Sequence, residues 1–314
     1  MSDEATDVAP QWEPTPSDIA NARITDFGAF VQRRGGAQSV DYPTLWQWSI
    51  DNVDEFWKSV WAYFEIGSPE PEVALASSEM PGAVWFPGTQ LNYVDQIRRN
   101  ARTDRPAIIY SAEDGSDTEL SWSELLRQTA ALAATLRDLG VGTGDRVAGY
   151  LPNIPEAVVA FLATASIGAV WSACGQDYSA PAALTRLGQL EPSVLIAADG
   201  YRFGGKTHDR RAEVAQLRAG MPSVRTTILV SRLESAVAGT LEWSTATSGE
   251  HELSPVPVDF DHPLWIVFSS GTTGLPKGIV HGHGGVVLEH LKAIALHSDL
   301  GAEDTFFCTQ VPVG

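Results

Sequence analysis

Cysteine is nearly absent. The 314-residue chain has two, Cys174 and Cys308, too few for a disulfide framework or for a zinc cage without other ligands. Basic charge is scarce as well. Lys and Arg total 21 against 39 Asp and Glu, a formal net charge of −18, so a nucleic-acid backbone or an anionic membrane surface is repelled on average. The start, Met1-Ser2-Asp3-Glu4-Ala5-Thr6-Asp7, is acidic and has no apolar core, which reads as no secretory signal. Together with the few cysteines this gives a reducing, cytoplasmic location as the expectation. The uncharged stretch from Ala157 to Cys174 is broken by Thr164, Ser166 and Gly168, and is expected to be a buried helix and a following strand, not a membrane span. No internal repeat is visible. Hydrophobic residues make up 44% of the chain, which suffices for a large core.

Against these absences stands one dense run, Ser269-Ser270-Gly271-Thr272-Thr273-Gly274-Leu275-Pro276-Lys277-Gly278, led in by the apolar Leu264-Trp265-Ile266-Val267-Phe268. The order predicts a buried strand delivering a loop to the rim of a sheet. Gly271, Gly274 and Gly278 permit positive φ and close backbone approach, and successive N–H groups in such a turn can form an anion-binding concavity. Ser269, Ser270, Thr272 and Thr273 add hydroxyl donors. Lys277 adds a point charge, and Pro276 stiffens its end of the loop. These types suit a polyphosphate. A Walker A loop is excluded, because Pro276 stands where that motif has glycine before the lysine.

Elsewhere the periodicity alternates between strand and helix. Strands are expected at Pro106–Tyr110, Arg146–Tyr150, Ala169–Ser172, Val194–Ala197 and Thr227–Val230. Helices are expected after the capping box Ser121-x-x-Glu124 (Leu120 heading into the first), from Pro155, over Ser179–Leu190 and over Asp209–Ala219. This predicts an α/β fold of mainly parallel layered sheets with helices, binding ligands at the carboxyl ends of the strands. Residues 231–261 read as a surface connection. A helical face over Val287, Leu288, Leu291, Ile294 and Ala295 would bracket the Gly-rich run between strand and helix. Before the α/β region, Trp46, Trp48, Phe56, Trp57, Trp61, Phe64, Trp85 and Phe86 form a stripe read as packing surface of a helical, Trp-rich cap. The expected division is a flexible leader over 1–41, a cap over 42–100 and a ligand-binding domain over 101–314. Cys174 is expected to be buried packing.

The loop resembles the phosphate loop of the adenylate-forming superfamily, which includes acyl-CoA synthetases, luciferases and peptide-synthetase adenylation domains. Trp46-Gln47-Trp48-Ser49, Phe56-Trp57-Lys58-Ser59-Val60-Trp61, Trp85-Phe86-Pro87-Gly88 and Gly200-Tyr201-Arg202-Phe203-Gly204-Gly205-Lys206 are similar to acetoacetate–CoA ligases (acetoacetyl-CoA synthetases). So is Ile279-Val280-His281-Gly282-His283-Gly284-Gly285. The likeness runs from about Trp12 to about Phe307, and acetyl- and propionyl-CoA synthetases are the near relatives to separate.

The resemblance implies ATP, CoA and Mg2+ as reactants and an acyl-adenylate intermediate. It assigns the ATP phosphates to Ser269, Ser270, Gly271, Thr272, Thr273, Gly274 and Lys277, with Thr272, Thr273 and Lys277 catalytic, and CoA to Arg202, Gly204, Gly205 and Lys206. The bland reading of the last segment is a basic turn before a helix capped by Thr207. His281, His283 and His290 lack the carboxylate or thiolate that would complete a metal set, and His281 is expected near the end of a strand following the loop, where it would line a nucleotide or acyl pocket. The family continues well beyond Thr305-Phe306-Phe307, so the resemblance implies the truncated N-terminal part of the adenylate-forming fold, inactive alone, with most of the acyl pocket elsewhere and an unfinished sheet edge exposed. The small-molecule acid is expected to be acetoacetate.

Overall fold

A computed structural model of the chain describes residues 11–113, 115–233, 237–269 and 274–307. Two compact units divide it, Met1–Phe86 with Leu288–Thr305, and Pro87–Val287 with Phe306–Gly314.

The first unit is helical, and its helices begin earlier than the expected start at Tyr42. Thr15 and Asp18 form a reciprocal capping box that starts α1 (Pro16–Asn21), and α2 (Arg23–Arg33) follows with Phe27, Gly28 and Val31 buried. Within the expected flexible leader, Pro16–Asn21 and Arg23–Arg33 are thus helical, while residues 1–10 lie outside the described residues. The sequence signal was the Thr-x-x-Asp cap, which the prolines around it obscured. In α3 (Tyr42–Asp51) the Asp41 side chain accepts the Thr44 N–H at 3.0 Å, and α4 (Val53–Tyr63) buries Val60 and Trp61. Strands β1 (Leu75–Ser77) and β2 (Val84–Trp85) form a short antiparallel pair. Much of the aromatic stripe packs as expected, whereas Trp46 is 51% exposed. Phe27 meets Phe56 and Tyr63 edge-on at 6.1 and 5.3 Å, and Trp61 stacks on Phe86 at 5.3 Å. Lys292, on the π-helical turn Leu291–His297, lies over the Trp57 ring at 5.2 Å.

The second unit begins with β3 (Gln90–Leu91) and α5 (Tyr93–Arg99). A hairpin follows, β4 (Pro106–Ser111) with β5 (Asp117–Ser121). Its second strand occupies residues expected to lead straight into the helix, because Asp117–Ser121 pairs antiparallel with Pro106–Ser111 and cross-strand pairing outweighs helix entry. Then α6 (Trp122–Asp138) starts on Ser121, whose hydroxyl accepts the Glu124 N–H at 3.2 Å. Only half of the expected box forms, since the Glu124 carboxylate turns to Arg127 at 2.7 Å.

The remaining elements alternate as expected: β6 (Arg146–Tyr150), α7 (Pro155–Ser166), β7 (Val170–Cys174), α8 (Ala180–Leu187) and β8 (Val194–Ala198). A hairpin of β9 (Gly200–Phe203) and β10 (Lys206–Asp209) precedes α9 (Arg211–Gly220) and β11 (Thr226–Val230). The stretch taken as a plain connection contains β12 (Leu241–Glu242), α10 (Trp243–Ala246) and β13 (Val258–Asp259). Last come β14 (Pro263–Ser269), β15 (Lys277–Gly282) and α11 (His283–His290).

Seven strands form one sheet in the order β12-β11-β8-β6-β7-β14-β15, parallel except for β15. Side chains alternate across it as strand geometry requires. Val147, Val194 and Ile196 join Leu132, Leu136 and Val159 on the face covered by α6 and α7. Tyr150, Leu195 and Ala197 join Leu187, Leu217 and Met221 on the face covered by α8 and α9. Gly149 is required by packing, since a Cβ there would lie 2.7 Å from the Trp171 indole on the neighbouring strand. Among the described residues no helix is long and apolar enough to cross a membrane.

Candidate functional site

Strand β14 carries the apolar run to the carboxyl edge of the sheet, held to β7 by the Ser172 hydroxyl, which donates to the Ile266 carbonyl at 2.7 Å. The chain then reverses into β15, so that Ser269 pairs with Lys277, Val267 with Ile279 and Trp265 with His281. Cross-strand partners share a face, which places the Ser269 hydroxyl and the exposed Lys277 ammonium on one side at the mouth of the hairpin. Gly274 has φ +115°, a left-handed value that a side chain would strain. Gln189, in the turn after α8, donates to the Pro276 carbonyl at 3.1 Å and fixes the lysine end of the loop. The expected sites Ser270, Gly271, Thr272 and Thr273 lie outside the described residues.

The strand expected after the loop, with His281 near its end, is β15; the helix expected beyond it begins at His283, so it is this strand and not the helix that opens from the described end of the loop. Any anion held at this hairpin must rely on backbone N–H groups, hydroxyls and Lys277, without a helix dipole.

The second expected segment is also a hairpin. Arg202 pairs with Thr207, Phe203 pairs with Lys206, and Gly204 and Gly205 form the turn at φ +60° and +69°. Thr207 lies in a strand and caps no helix; α9 starts from Arg210 without a side-chain cap. Stacking of Tyr201 on His208, 4.7 Å between ring centres, stiffens the base. The two hairpins follow the carboxyl ends of β14 and β8, strands that lie three spacings, or about 14 Å, apart in the sheet.

Between them lies a polar network that sequence reasoning missed. The chain runs from β6 to β7 on one side and returns to β8 on the other, which makes a topological switch at β6 and β8. Gln176, only 1% exposed, donates from Nε2 to the carbonyls of Tyr150 at 3.2 Å and Ala198 at 2.7 Å, tying these strand ends together. Arg210 Nε donates to the Gln176 carbonyl at 2.8 Å, and the buried Asp199 carboxylate accepts the Arg232 and Leu233 N–H groups at 2.6 and 3.0 Å. A lone glutamine just after a strand carries no periodic signal, so nothing in the pattern singled it out.

The histidines separate. His281 is exposed on the edge strand, its ring centre 6.3 Å from that of Trp265. His283 is fully buried, and Nδ1 accepts the Tyr93 N–H at 3.1 Å. Burial first and His262 second push its imidazole down to about 3. Burial likewise pushes the Cys174 thiol up to about 11, which leaves it protonated and unreactive at neutral pH. No group of three or more His, Cys, Asp or Glu among the described residues could hold a metal ion.

Comparison with known proteins decides the family. The profile of AMP-binding enzymes matches residues 95–314, and that of the acetyl-coenzyme A synthetase N-terminus matches residues 42–97. The chain belongs to the AMP-binding enzyme family. Among its relatives are an acetoacetyl-coenzyme A synthetase of Rhizobium meliloti (strain 1021), 33% identical over 95% of this chain and 47% of the relative, and an acetoacetyl-CoA synthetase of Danio rerio, 33% identical over 92% and 46%. The solved acetoacetyl-CoA synthetase from Streptomyces lividans superposes with a TM-score of 0.93 at 48% identity, over 96% of this chain and 48% of that one. The chain therefore spans about half the length of the curated relatives it matches. Both hairpins and the switch-point network fall inside the region matched by the AMP-binding enzyme family.

Proposed function

We propose that the β14–β15 hairpin holds the phosphates of ATP and that the chain serves AMP-forming activation of a short carboxylic acid for transfer to CoA, with acetoacetate as the acid. The observation that carries this reading is the pairing of Ser269 with Lys277 at the carboxyl edge of a parallel sheet, in a chain of this family. A carboxylate is a poor electrophile. Its oxygen attacks the α-phosphorus of ATP, the bond to the β-phosphate oxygen breaks and pyrophosphate leaves with its charge. The CoA thiolate then attacks the acyl carbon, expelling AMP and leaving a thioester. Charge develops on the leaving pyrophosphate in the first step, which is where Lys277, Ser269, Ser270, Thr272, Thr273 and the N–H groups around Gly271 and Gly274 would act. Mg2+ would accompany the ATP phosphates in this step and help neutralise the charge that develops on them.

Arg202, Gly204, Gly205 and Lys206 would meet the phosphates of CoA. Their hairpin stands on the same rim, at a separation that an extended CoA can bridge. Acetoacetate is favoured by the names of the relatives, among which a malonamoyl-CoA synthetase of Penicillium aethiopicum, 30% identical, also suggests an acid with a carbonyl at its third carbon. Acetate or propionate is the second reading, favoured by the match of residues 42–97 to the acetyl-coenzyme A synthetase N-terminus.

The test joins this chain to the remaining half of the Streptomyces lividans enzyme and measures exchange of labelled pyrophosphate into ATP with acetoacetate, acetate and propionate. Exchange with acetoacetate that is lost in Lys277→Ala is expected. Preference for acetate or propionate would replace the acid, and exchange indifferent to Lys277 would remove the phosphate assignment.

A further inference from the structure

The Gly204-Gly205 turn already holds an anion, and the anion is part of the chain. Glu113, at the tip of the β4–β5 hairpin, accepts the Gly204 N–H on Oε1 at 2.7 Å and the Gly205 N–H on Oε2 at 3.0 Å. Two successive left-handed residues point consecutive N–H groups to one side, the arrangement in which backbone cradles a carboxylate or phosphate. The match is bidentate and spans 91 positions of sequence, so it is a tertiary contact between two hairpin tips and not local turn chemistry. Exposed Arg202 and Lys206 flank it. The N–H groups of Gly205 and Gly204 hold the Glu113 carboxyl below the usual carboxylate range, as binding to the ionised form requires. In a chain with 39 acidic residues, an exposed carboxylate would otherwise remain in water.

We propose that the Gly204-Gly205 turn is a phosphate subsite which Glu113 fills in the free protein, so that a phosphate of CoA binds by displacing this side chain. Glu113 thus acts as an internal competitor that sets CoA affinity. This rests on the CoA assignment made above and deepens it. The turn is suited to exchange because both partners sit on hairpin tips and the exposed carboxylate can swing into solvent. A side chain holding the turn most of the time lowers apparent affinity by the fraction of time the turn is free.

The experiment measures binding of CoA and of ATP by calorimetry to the 314-residue chain, as wild type, Glu113→Gln and Glu119→Gln. Glu119 is an exposed acid on the same hairpin, so its variant reports the effect of removing one negative charge nearby. Expected for Glu113→Gln is CoA binding tighter by about five- to tenfold, with ATP binding unchanged and Glu119→Gln like wild type. In parallel, the Gly204 and Gly205 amide signals should shift on adding CoA to the wild type, toward values unlike those of the Glu113-bound turn. Equal CoA affinity in wild type and Glu113→Gln overturns the proposal, including the case where the variant only melts at lower temperature because the contact merely tethers two hairpins. An equal gain in Glu119→Gln, or a gain for ATP in place of CoA, overturns it too. So does absence of CoA binding from all three proteins, whereas the ATP reading fails separately, by loss of Lys277-dependent ATP binding.

Discussion

Ser269 and Lys277 face each other across the last pair of the β14–β15 ladder, on the same side of the sheet, with the whole glycine- and threonine-rich loop between them. The strand fixes the Lys277 backbone there before any ligand arrives, so that only the side chain remains to be ordered on binding. Substitution of Lys277 by alanine is therefore expected to weaken ATP binding by roughly 1.5–3 kcal/mol, the range for a hydrogen bond to a charged group. Calorimetry with ATP checks this. The melting temperature without nucleotide should stay put, because Lys277 is exposed.

Buried His283 makes stability depend on pH. Its imidazole titrates near 3 in the fold against about 6.5 in the unfolded chain, so the unfolded state binds the proton first. The contribution is complete above about pH 6.5 and declines as pH falls toward 3, by at most about 1.4 kcal/mol per pH unit. Urea unfolding between pH 7 and pH 4 should show the slope, and His283→Asn, which can still accept the Tyr93 N–H, should flatten it.

Gly149 is expected to tolerate no side chain. With Trp171 only 2.7 Å from the position of a Cβ, Gly149→Ala should destabilise by about 1–3 kcal/mol, as overpacked cores do. Denaturant unfolding measures it, and Trp171→Phe in the same chain should recover part of the loss.

Strand β15 leaves one edge of the sheet open within the described residues, with Ile279 and Val280 45% and 55% exposed. Unpaired edges recruit other strands. Concentration-dependent association in sedimentation is expected, and Val280→Lys should reduce it. A monomer at high concentration would count against edge pairing.

The 314-residue chain alone is expected to bind ATP without exchanging pyrophosphate into it, since it spans about half the length of the relatives that bear the synthetase name. Acetoacetate-dependent exchange by the purified chain would refute this.

The sequence alone determined the alternation of strands and helices, the mainly parallel sheet and the buried strand that leads into the glycine-rich loop. Hydrophobic period and glycine position are local properties, and each strand expected around Val147, Ile196 and Ile228 is found in the sheet. Local reading also missed things for a local reason. Thr15-x-x-Asp18 starts helices where prolines suggested none, and Asp117–Ser121 becomes a strand only because Pro106–Ser111 lies beside it. Only the tertiary structure decided which strands are neighbours, and with that the switch between β6 and β8, the bridging role of Gln176 and the encounter of Glu113 with Gly204 and Gly205. These contacts join residues 22 to 92 positions apart. No spacing rule encodes them, because the chain must close its loops around a packed core before such groups share a surface.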